Sequence, residues 1–371
     1  MKIAIDINEA NIPQRVGVNQ VAYAIFNSLV EKLPITDQII AFSKNRPLPD
    51  LPKPSTKLTY ESFGPSKLWV ITGLTKRLLF GKPKPDLVFS PSHYTPLFTT
   101  IPSVIYLMDL AYERYGTDFF TKYDINQLKR WTPLSVHKAK HILTISQFSK
   151  KEIISLYKVP ENKVSVIYPG YDKESYHTKI NPHRVDAVKE KFSIKGEYLL
   201  YVGTLQPRKN LVKLVEGFSR IKNKKIKLVI GGKKGWLYDQ LFTRVTQLKL
   251  EDRVIFTGFV PTEDLPALIR GAKAYILPSL YEGFGMPPIE AQACGVPVIV
   301  SRTSSLPEVV GESGIYIENP LEVKSITTAI DNFFNLTETQ LENCIELGKQ
   351  NIKRFSWDDS AHQILEIFHR L

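Results

Sequence analysis

The segment AYILPSLYEGFGMPPIEAQACGVPVIVS, residues 274–301, contains the alternation from which the fold is inferred. Its two ends, AYILPS (274–279) and PVIVS (297–301), are short apolar runs bounded by polar residues or proline, which is typical of buried strands. Pro287 and Pro288 forbid one continuous helix between them, but proline is tolerated in a first helical turn. The segment therefore predicts a strand, a loop, a helix over 287–294 and a second strand.

The same alternation extends in both directions along the chain. In the second half, apolar runs predict further strands at 198–204, 226–232 and 253–259, with helices at 209–222, 236–249, 263–271 and 321–333. In the first half they predict strands at 2–7, 37–43, 86–92, 103–109 and 141–146, with helices at 18–33 and 146–157. Strands that alternate with helices form parallel sheets covered on both faces. The fold class is therefore α/β, with two doubly wound domains whose sheets face each other.

Chain length agrees with two domains, because 371 residues exceed the roughly 100–200 residues of a typical domain. The polar stretch 172–196 lacks a strand signal and marks the change-over. We predict an N-terminal domain over 1–175 and a C-terminal domain over 190–355. The last segment, 356–371, has the apolar spacing of an amphipathic helix and is expected to cross back and complete the N-terminal domain.

Composition excludes several classes of protein. Hydrophobic residues make up 43% of the chain and charged residues 23%, which is an ordinary globular balance. Two cysteines, Cys294 and Cys344, are too few for a disulfide framework or a multi-cysteine metal site, and they favour a reducing cytoplasm. Asp6 interrupts the N-terminal apolar run, which suits a first strand better than a signal peptide. No uncharged apolar stretch is long enough to cross a bilayer.

The positive charge lies mainly in the first half of the sequence. Of the net charge of +12, residues 1–185 contribute +10, from 25 Lys and Arg against 15 Asp and Glu. Residues 186–371 contribute +2, from 24 against 22. A basic half of this kind fits nucleic acid, an anionic membrane surface or a phosphorylated substrate, and it also fits plain solubility. The charge alone does not choose among them.

Two loops after predicted strands concentrate polar groups, and ligands of open α/β sheets bind at such loops. Glu282 is expected in the loop after AYILPS and Glu290 in the first turn of the next helix, with Gly283, Phe284 and Gly285 supplying backbone amides between them. A carboxylate placed there can accept hydrogen bonds from a sugar diol. The alternative is that Glu290 only caps its helix and the glycines only make the turn.

The second loop is YVGTLQPRKNLVKL, residues 201–214. Arg208 and Lys209 are expected at the start of a helix, where two adjacent cations oppose the local dipole unless an anion is present. A diphosphate would satisfy both, because arginine offers a fork of donors and lysine a point charge. The alternative is a pair of solvated surface cations. The glycine pair at 231–232 also suits close backbone approach, but is weak evidence by itself.

Taken together, these motifs resemble the retaining glycosyltransferases of family 4. The resemblance rests on YVGTLQPRKN (201–210), FTGFVPTEDL (256–265), the segment 278–301 and SSLPEVVG (304–311), and is traceable in ILTISQFSKKEI (142–153). It implies the GT-B fold, two Rossmann-like domains with an active site in the cleft between them. It also implies transfer of a hexose from a nucleotide-diphosphate sugar to a glycan or lipid-linked glycan. The TLQPRKN variant looks like mannosyltransferases of surface-glycan synthesis, so mannose is expected, with GDP-mannose or a UDP-sugar as donor.

The resemblance assigns roles to the C-terminal loops. Glu290 occupies the position that bonds the nucleotide ribose, and Glu282 the one that faces donor-sugar hydroxyls near the 283–285 amides. Lys209 and Arg208 match the pair that binds the diphosphate, so these two cations and Glu282 are predicted to be catalytic.

Other implied positions bind the base and the acceptor. Phe259 and Val260 fall where relatives contact the base, and Gly17 lies in the loop that is glycine-rich in the family. Many relatives have His–Asp where this chain has Met108–Asp109, so Asp109 is the polar contact that remains and is also predicted to be catalytic. His93, in another post-strand loop, either compensates for the missing histidine or is structural.

No DxD pair and no cluster with metal-ligand spacing is found in the sequence, so metal-independent transfer is expected, without a cofactor. The resemblance implies retention by same-face attack, with the departing phosphate oxygen taking the acceptor's proton. Two other functions stay open: a GT-B nucleotide-sugar epimerase, which the EGFGMPPIE loop disfavours, and a nucleic-acid-binding protein, for which no recognisable motif is found.

Residues 66–85, SKLWVITGLTKRLLFGKPKP, contain five Lys or Arg and no acid, together with Trp69 and several leucines. A basic amphipathic segment of this kind can rest on anionic lipid with the tryptophan at the interface, which would place the enzyme peripherally on the inner face of the plasma membrane. The alternative is an ordinary helix whose apolar face packs inward.

Overall fold

The computed structural model describes residues 1–15, 17–64, 68–116, 122–233, 235 and 239–371. It divides into two compact units. Unit 1 comprises Met1–Gly170 and Phe355–Leu371, and unit 2 comprises Tyr171–Arg354.

Unit 1 is built on a parallel sheet that, within the described residues, has seven strands in the order β3-β2-β1-β4-β5-β6-β7. The strands are β1 (Lys2–Asp6), β2 (Gln38–Ser43), β3 (Leu58–Ser62), β4 (Leu87–Ser90), β5 (Ser103–Tyr106), β6 (His141–Thr144) and β7 (Val164–Val166). The helices are α1 (Val18–Lys32), α2 (Thr75–Phe80), α3 (Ala111–Tyr115), α4 (Lys122–Lys138), α5 (Gln147–Tyr157) and the C-terminal α14 (Trp357–Arg370). A π-helical turn at Val70–Leu74 leads into α2.

The C-terminal helix α14 is an integral part of unit 1. It packs against α1, and Phe368 is buried with its ring 5.2 Å from that of Phe89 on β4. Ser356 caps its first turn by accepting a hydrogen bond from the Asp359 amide. Near its end, His369 Nε2 lies 2.7 Å from the buried carboxylate of Asp37. Burial of one face therefore holds α14 to the sheet that the N-terminal sequence forms.

Unit 2 has the same kind of architecture. Within its described residues, the sheet has six parallel strands in the order β10-β9-β8-β11-β12-β13. They are β8 (Tyr198–Val202), β9 (Lys227–Gly231), β10 (Val254–Gly258), β11 (Ala274–Leu277), β12 (Val298–Ser301) and β13 (Gly314–Ile317). The helices are α6 (Pro182–Lys191), α7 (Leu211–Arg220), α8 (Asp239–Gln247), α9 (Leu265–Arg270), α10 (Met286–Ala293), α11 (Leu306–Val310), α12 (Val323–Phe334) and α13 (Glu338–Asn351). Alternation of buried strands with amphipathic helices thus confirms the predicted α/β class.

Several elements were not predicted from the sequence. Three strands, β3, β7 and β13, lie at or next to a sheet edge and are only partly buried, so they lack the continuous apolar run by which the other strands were recognised. Helices α4, α6 and α13 were also not predicted, and all three have a polar mean composition. The helix predicted from residue 236 begins outside the described residues; its described part starts at Asp239.

Phe368→Ala is expected to lower the free energy of unfolding of unit 1 by about 3–5 kcal/mol, because it opens a cavity between α14 and β4. Glu366→Ala, on the exposed side of the same helix, is the matched control and should change it by less than about 0.5 kcal/mol. Urea denaturation followed by circular dichroism measures both. Equal stability of the two variants would contradict the packing role of α14.

Candidate functional site

The carboxyl ends of β8 and β11 meet at the centre of the unit 2 sheet. These strands are neighbours, although the chain visits β9 and β10 between them, so the strand order reverses at this point. In open α/β sheets the loops on either side of such a reversal form the ligand crevice. Here the loop after β8 carries Arg208 and Lys209, and the loop after β11 carries Glu282.

The loop after β8 folds into a 3₁₀ turn, Pro207–Lys209, and not into the first turn of a helix as predicted. Helix α7 begins only at Leu211, because Asn210 takes a left-handed conformation (φ 61°). The turn is fastened to the loop after β11 by two hydrogen bonds. The Leu280 amide donates to the Arg208 carbonyl at 2.8 Å, and Asn210 Nδ2 donates to the Pro278 carbonyl at 3.1 Å.

The two cations converge on one carboxylate. Lys209 Nζ lies 2.5 Å from Glu282 Oε1, and Arg208 Nη1 lies 2.9 Å from Oε2. Ser279 Oγ donates a further hydrogen bond to Oε1 at 2.6 Å. Burial by itself raises the pKa of Glu282, but the charges of Lys209 and Arg208 and the hydrogen bonds outweigh it and lower the pKa to about 2. Glu282 is therefore a buried carboxylate that is ionised at neutral pH. It supplies the negative charge that the sequence led us to expect from a bound ligand.

Hydroxyl groups that the sequence analysis did not single out hold the Glu282 loop. The Glu282 amide donates to Ser304 Oγ at 2.9 Å, and Ser305 Oγ lies within hydrogen-bond distance of the carbonyls of Glu282 (2.9 Å) and Phe284 (2.8 Å). Phe284 itself is buried, so its ring anchors the loop. Only the resemblance at SSLPEVVG pointed to this segment, since serines in a loop carry no periodic signal.

Glu290 lies on α10, which begins after Gly285, a residue with φ 111° that favours glycine. The prediction that Glu290 belongs to the first turn is wrong by one residue, because it is the fifth residue of the helix. No acidic residue lies in that first turn, and Gly285 offers no side-chain cap. The alternative that Glu290 only caps its helix is therefore also wrong.

The electrostatics of Glu290 are the reverse of those of Glu282. Among the described residues, none donates a hydrogen bond to its half-buried carboxylate, and the charge that shifts its pKa is that of Asp172, which is also negative. Burial and then Asp172 raise the pKa of Glu290 to about 7. One helix turn away, the buried Cys294 thiol has its pKa raised to about 12, by burial and then by Glu290. Glu290 is thus an acceptor without a donor in the described part of the chain, able to ionise near neutral pH.

The loop after β10 presents one aromatic ring and buries its neighbour. Phe259 is 48% exposed, with Lys233 Nζ 5.1 Å from its ring centroid, whereas Val260 is buried. A Cβ on Gly232 would lie 1.9 Å from the Gly203 carbonyl oxygen. Gly232 is therefore needed because two backbone segments lie close together there, and it does not indicate a ligand.

In unit 1, the predicted residues lie in three loops. Gly17 has φ 54° and precedes α1, with open space around its Cα. Met108 is buried, and Asp109 accepts a hydrogen bond from the Ala111 amide at 3.2 Å. His93 lies near Asp109: burial lowers its pKa and the Asp109 charge opposes that shift. Within the described part of the chain, the buried His93 Nδ1 has no hydrogen-bond partner.

Comparison with known proteins identifies the family. A model described as glycosyl transferases group 1 matches residues 184–351, and one described as glycosyltransferase family 4 matches residues 17–175. The O-antigen chain mannosyltransferase RfbU of Salmonella typhimurium is 32% identical over 291 residues, which cover 77% of this chain and 73% of that protein. The chain belongs to glycosyltransferase family 4.

Two further comparisons bear on this family 4 chain. The O-antigen chain mannosyltransferase B of Escherichia coli is 34% identical over 241 residues, 64% of this chain, and the match spans only 62% of that protein. Anabaena Alr3699/HepE, solved in complex with UDP and glucose, has a TM-score of 0.77 at 18% identity over 100% of both chains. The likeness to HepE concerns the fold. With two Rossmann-like parallel sheets, it confirms the predicted GT-B class.

None of the helices in the described residues combines the length and the apolar character needed to cross a membrane. The described part of the chain also contains no group of three or more His, Cys, Asp or Glu side chains placed to hold a metal ion.

We expect Glu282→Gln and Glu290→Gln to change the free energy of unfolding relative to the wild type with opposite dependence on pH. Glu282→Gln leaves Lys209 and Arg208 without their counter-ion, which costs about 3–5 kcal/mol of unfolding free energy at pH 7. Because the pKa of Glu282 is lowered to about 2 from 4.5, this cost is fully present above pH 4.5 and shrinks as the pH falls below it.

Glu290→Gln serves as the matched comparison. The folded wild type holds a proton on Glu290 between about pH 4.5 and 7 that the unfolded chain releases, so wild-type stability falls over that range. Glu290→Gln does not lose stability in this way. Its free energy of unfolding should therefore increase relative to that of the wild type as the pH rises to 8. Urea denaturation of the ligand-free proteins from pH 2 to 8 measures both, and parallel curves for the two variants would contradict the assignment.

Proposed function

We propose that this chain is a glycosyltransferase that moves a hexosyl group, mannosyl in the first instance, from a nucleotide-diphosphate sugar to a glycan or polyprenyl-diphosphate-linked glycan. The observation that carries the proposal is the convergence of Lys209 and Arg208 on Glu282 at the strand-order reversal of unit 2, in a chain of family 4. The names of the O-antigen mannosyltransferase relatives support mannose and a surface glycan. The donor is GDP-mannose or a UDP-sugar.

Lys209 and Arg208 would bind the donor diphosphate and stabilise the charge that develops on it as the glycosidic bond breaks. An ammonium carries three donors and a guanidinium five. Arg208 also donates to the Tyr281 carbonyl at 3.0 Å and to Gln206 Oε1 at 3.3 Å, so phosphate binding would share or exchange some of these bonds. The cations can hold Glu282 and phosphate oxygens together. Because Glu282 fixes them before a ligand arrives, little reorganisation is needed when the leaving group becomes negative.

The two glutamates then have different tasks. Glu282 positions the cations, and its predicted contact with donor-sugar hydroxyls would be an additional one. Glu290 would accept hydrogen bonds from the ribose, since its own carboxylate has no donor among the described residues. The exposed ring of Phe259 offers a surface on which a base could stack, while the buried Val260 would contribute through its main chain.

Unit 1 would bind the acceptor through Asp109, with His93 in a supporting role, and Gly17 would contribute to donor binding. The transfer would need no metal: same-face attack retains the anomeric configuration, and the departing phosphate oxygen takes the acceptor's proton. The two cysteines are unpaired, which fits work on the cytoplasmic side, where sugar nucleotides are the donors.

Lys209→Ala is expected to reduce turnover by about 10²-fold or more, because a donor to the leaving group is lost. Lys213→Ala is the matched control: Lys213 lies on α7 beside Glu216 and is 42% exposed, so its removal should leave turnover near wild type. Release of nucleoside diphosphate and mass analysis of products from labelled donor measure the effect. Wild-type turnover in folded Lys209→Ala removes this residue from the mechanism, and recovery of an epimerised donor contradicts transfer.

Glu290→Gln is expected to weaken nucleoside diphosphate binding by about tenfold or more at pH 8, the value of a charge-assisted hydrogen bond. Wild-type affinity should rise from pH 6 to 8 as the carboxylate, with its pKa of about 7, ionises. Calorimetry with GDP and UDP measures the affinities and shows which base is preferred. The phosphate also ionises in this range, so the difference between wild type and variant is the diagnostic quantity. A difference that does not change with pH would refute the ribose role.

A further inference from the structure

The basic segment between β3 and β4 is only partly used by the core of unit 1. Trp69, Leu74 and Leu78 are buried in a cluster with Ala4, Phe42 and other residues of the central strands. Trp69 also donates a hydrogen bond to the Phe63 carbonyl at 2.5 Å. These apolar residues therefore pack inward, as the second interpretation of 66–85 expected, and Trp69 is not an interfacial anchor. Residues 65–67 lie outside the described part of the chain.

The opposite face of α2 is apolar and exposed. Phe80 is 79% exposed and Leu79 39% exposed, side by side at the end of the helix. Lys76, one turn earlier, shares this face, because residues three and four positions apart are neighbours on a helix. A large aromatic side chain left so open has no role in the core of its own unit.

The charges around this pair are positive and mostly uncompensated. Lys76, Lys82 and Lys84 are exposed, and none of them makes an ion pair with another described residue. Arg77 is different, because Glu61 neutralises it through two hydrogen bonds of 2.7 and 2.8 Å. Asp86, the next acid along the chain, is exposed and accepts a hydrogen bond from the Lys2 amide. Three exposed lysines thus lie within the nine residues Lys76 to Lys84, which include the Leu79–Phe80 tip.

We propose that this tip, formed by Lys76, Leu79, Phe80, Lys82 and Lys84, docks unit 1 on an anionic bilayer. Phe80 and Leu79 enter the boundary between headgroups and acyl chains, and the lysine ammonium groups lie at the level of the lipid phosphates. A bilayer supplies both partners at once, an apolar layer a few ångströms deep and a negative surface above it. The uneven charge of the chain, with +10 in residues 1–185, adds attraction over a wider area.

The chemistry distinguishes a bilayer from the other occupants of a basic surface. A nucleic acid would use the lysines, but it offers no apolar layer to receive an exposed phenylalanine next to a leucine. An acidic protein groove could receive both, and the experiment separates that case. The inference does not depend on the proposed transfer, because lipid binding is measured without donor or acceptor.

Flotation of the full chain with vesicles tests the proposal. The wild type is expected to float with vesicles of equal parts phosphatidylcholine and phosphatidylglycerol and to remain at the bottom with phosphatidylcholine alone. Leu79→Ser with Phe80→Ser should reduce the partition coefficient by about tenfold or more, because it removes the apolar contact. Lys82→Glu with Lys84→Glu should reduce it by at least about tenfold, and high salt should weaken wild-type binding.

Matched controls lie in unit 2. Leu321→Ser removes an apolar side chain that is 64% exposed, and Lys222→Glu with Lys225→Glu makes the same change in net charge at exposed positions. Both are expected to float as the wild type does. A wild type that stays at the bottom with anionic vesicles, or tip variants that float as well as the controls, would overturn the proposal. Circular dichroism and nucleotide binding confirm that the variants are folded.

Discussion

The site in unit 2 depends on the contact of two adjacent cations with one buried carboxylate. Side by side on a three-residue turn, Arg208 and Lys209 repel each other, and without an anion the turn would spread them into solvent. Glu282 arrives from the neighbouring strand's loop and binds both. The surrounding structure serves this contact: Ser279, Ser304 and Ser305 hold the glutamate loop.

Glu282, in the loop after β11, and Glu290, on the helix that follows, have opposite electrostatic states because their surroundings differ. Glu282 faces two cations and a hydroxyl, so the folded state favours its ionised form. Glu290 is shielded from water and acted on by the charge of Asp172, so the folded state favours its neutral form. The first arrangement stabilises the unliganded protein, and the second leaves an unmet demand for hydrogen-bond donors that a ligand can satisfy. Residues that look equivalent in the sequence can therefore be separated into a structural anion and a ligand acceptor by what surrounds each one.

The fold could be predicted from the sequence because it depends on burial, and burial produces a periodic pattern of apolar residues. Strands such as Ala274–Leu277 are covered on both faces and read as unbroken apolar runs. Edge strands such as Leu58–Ser62 bury fewer side chains, and their pattern is diluted by polar residues. The same reasoning explains why residues 66–85 were ambiguous. Trp69, Leu74 and Leu78 and the pair Leu79–Phe80 have the same apolar character, and only the direction of each side chain separates core from surface.

The site could be predicted from the sequence only in part. Its central contact, of Arg208 and Lys209 with Glu282, joins positions more than 70 residues apart in the chain. Two adjacent cations near an expected helix start led us to expect a ligand diphosphate as their anion, which stays a prediction; the anion that the structure places beside them is a carboxylate of the protein. Local sequence could not say that the anion is Glu282, since a carboxylate of the protein and a phosphate of a ligand satisfy the same electrostatic demand. Nor could it foresee that Asn210 in a left-handed conformation delays α7 and places the cations on a 3₁₀ turn, clear of the helix dipole. Sequence reasoning therefore identified which charges needed partners, and the topology of the sheet, which sets β8 beside β11, decided which partner they have.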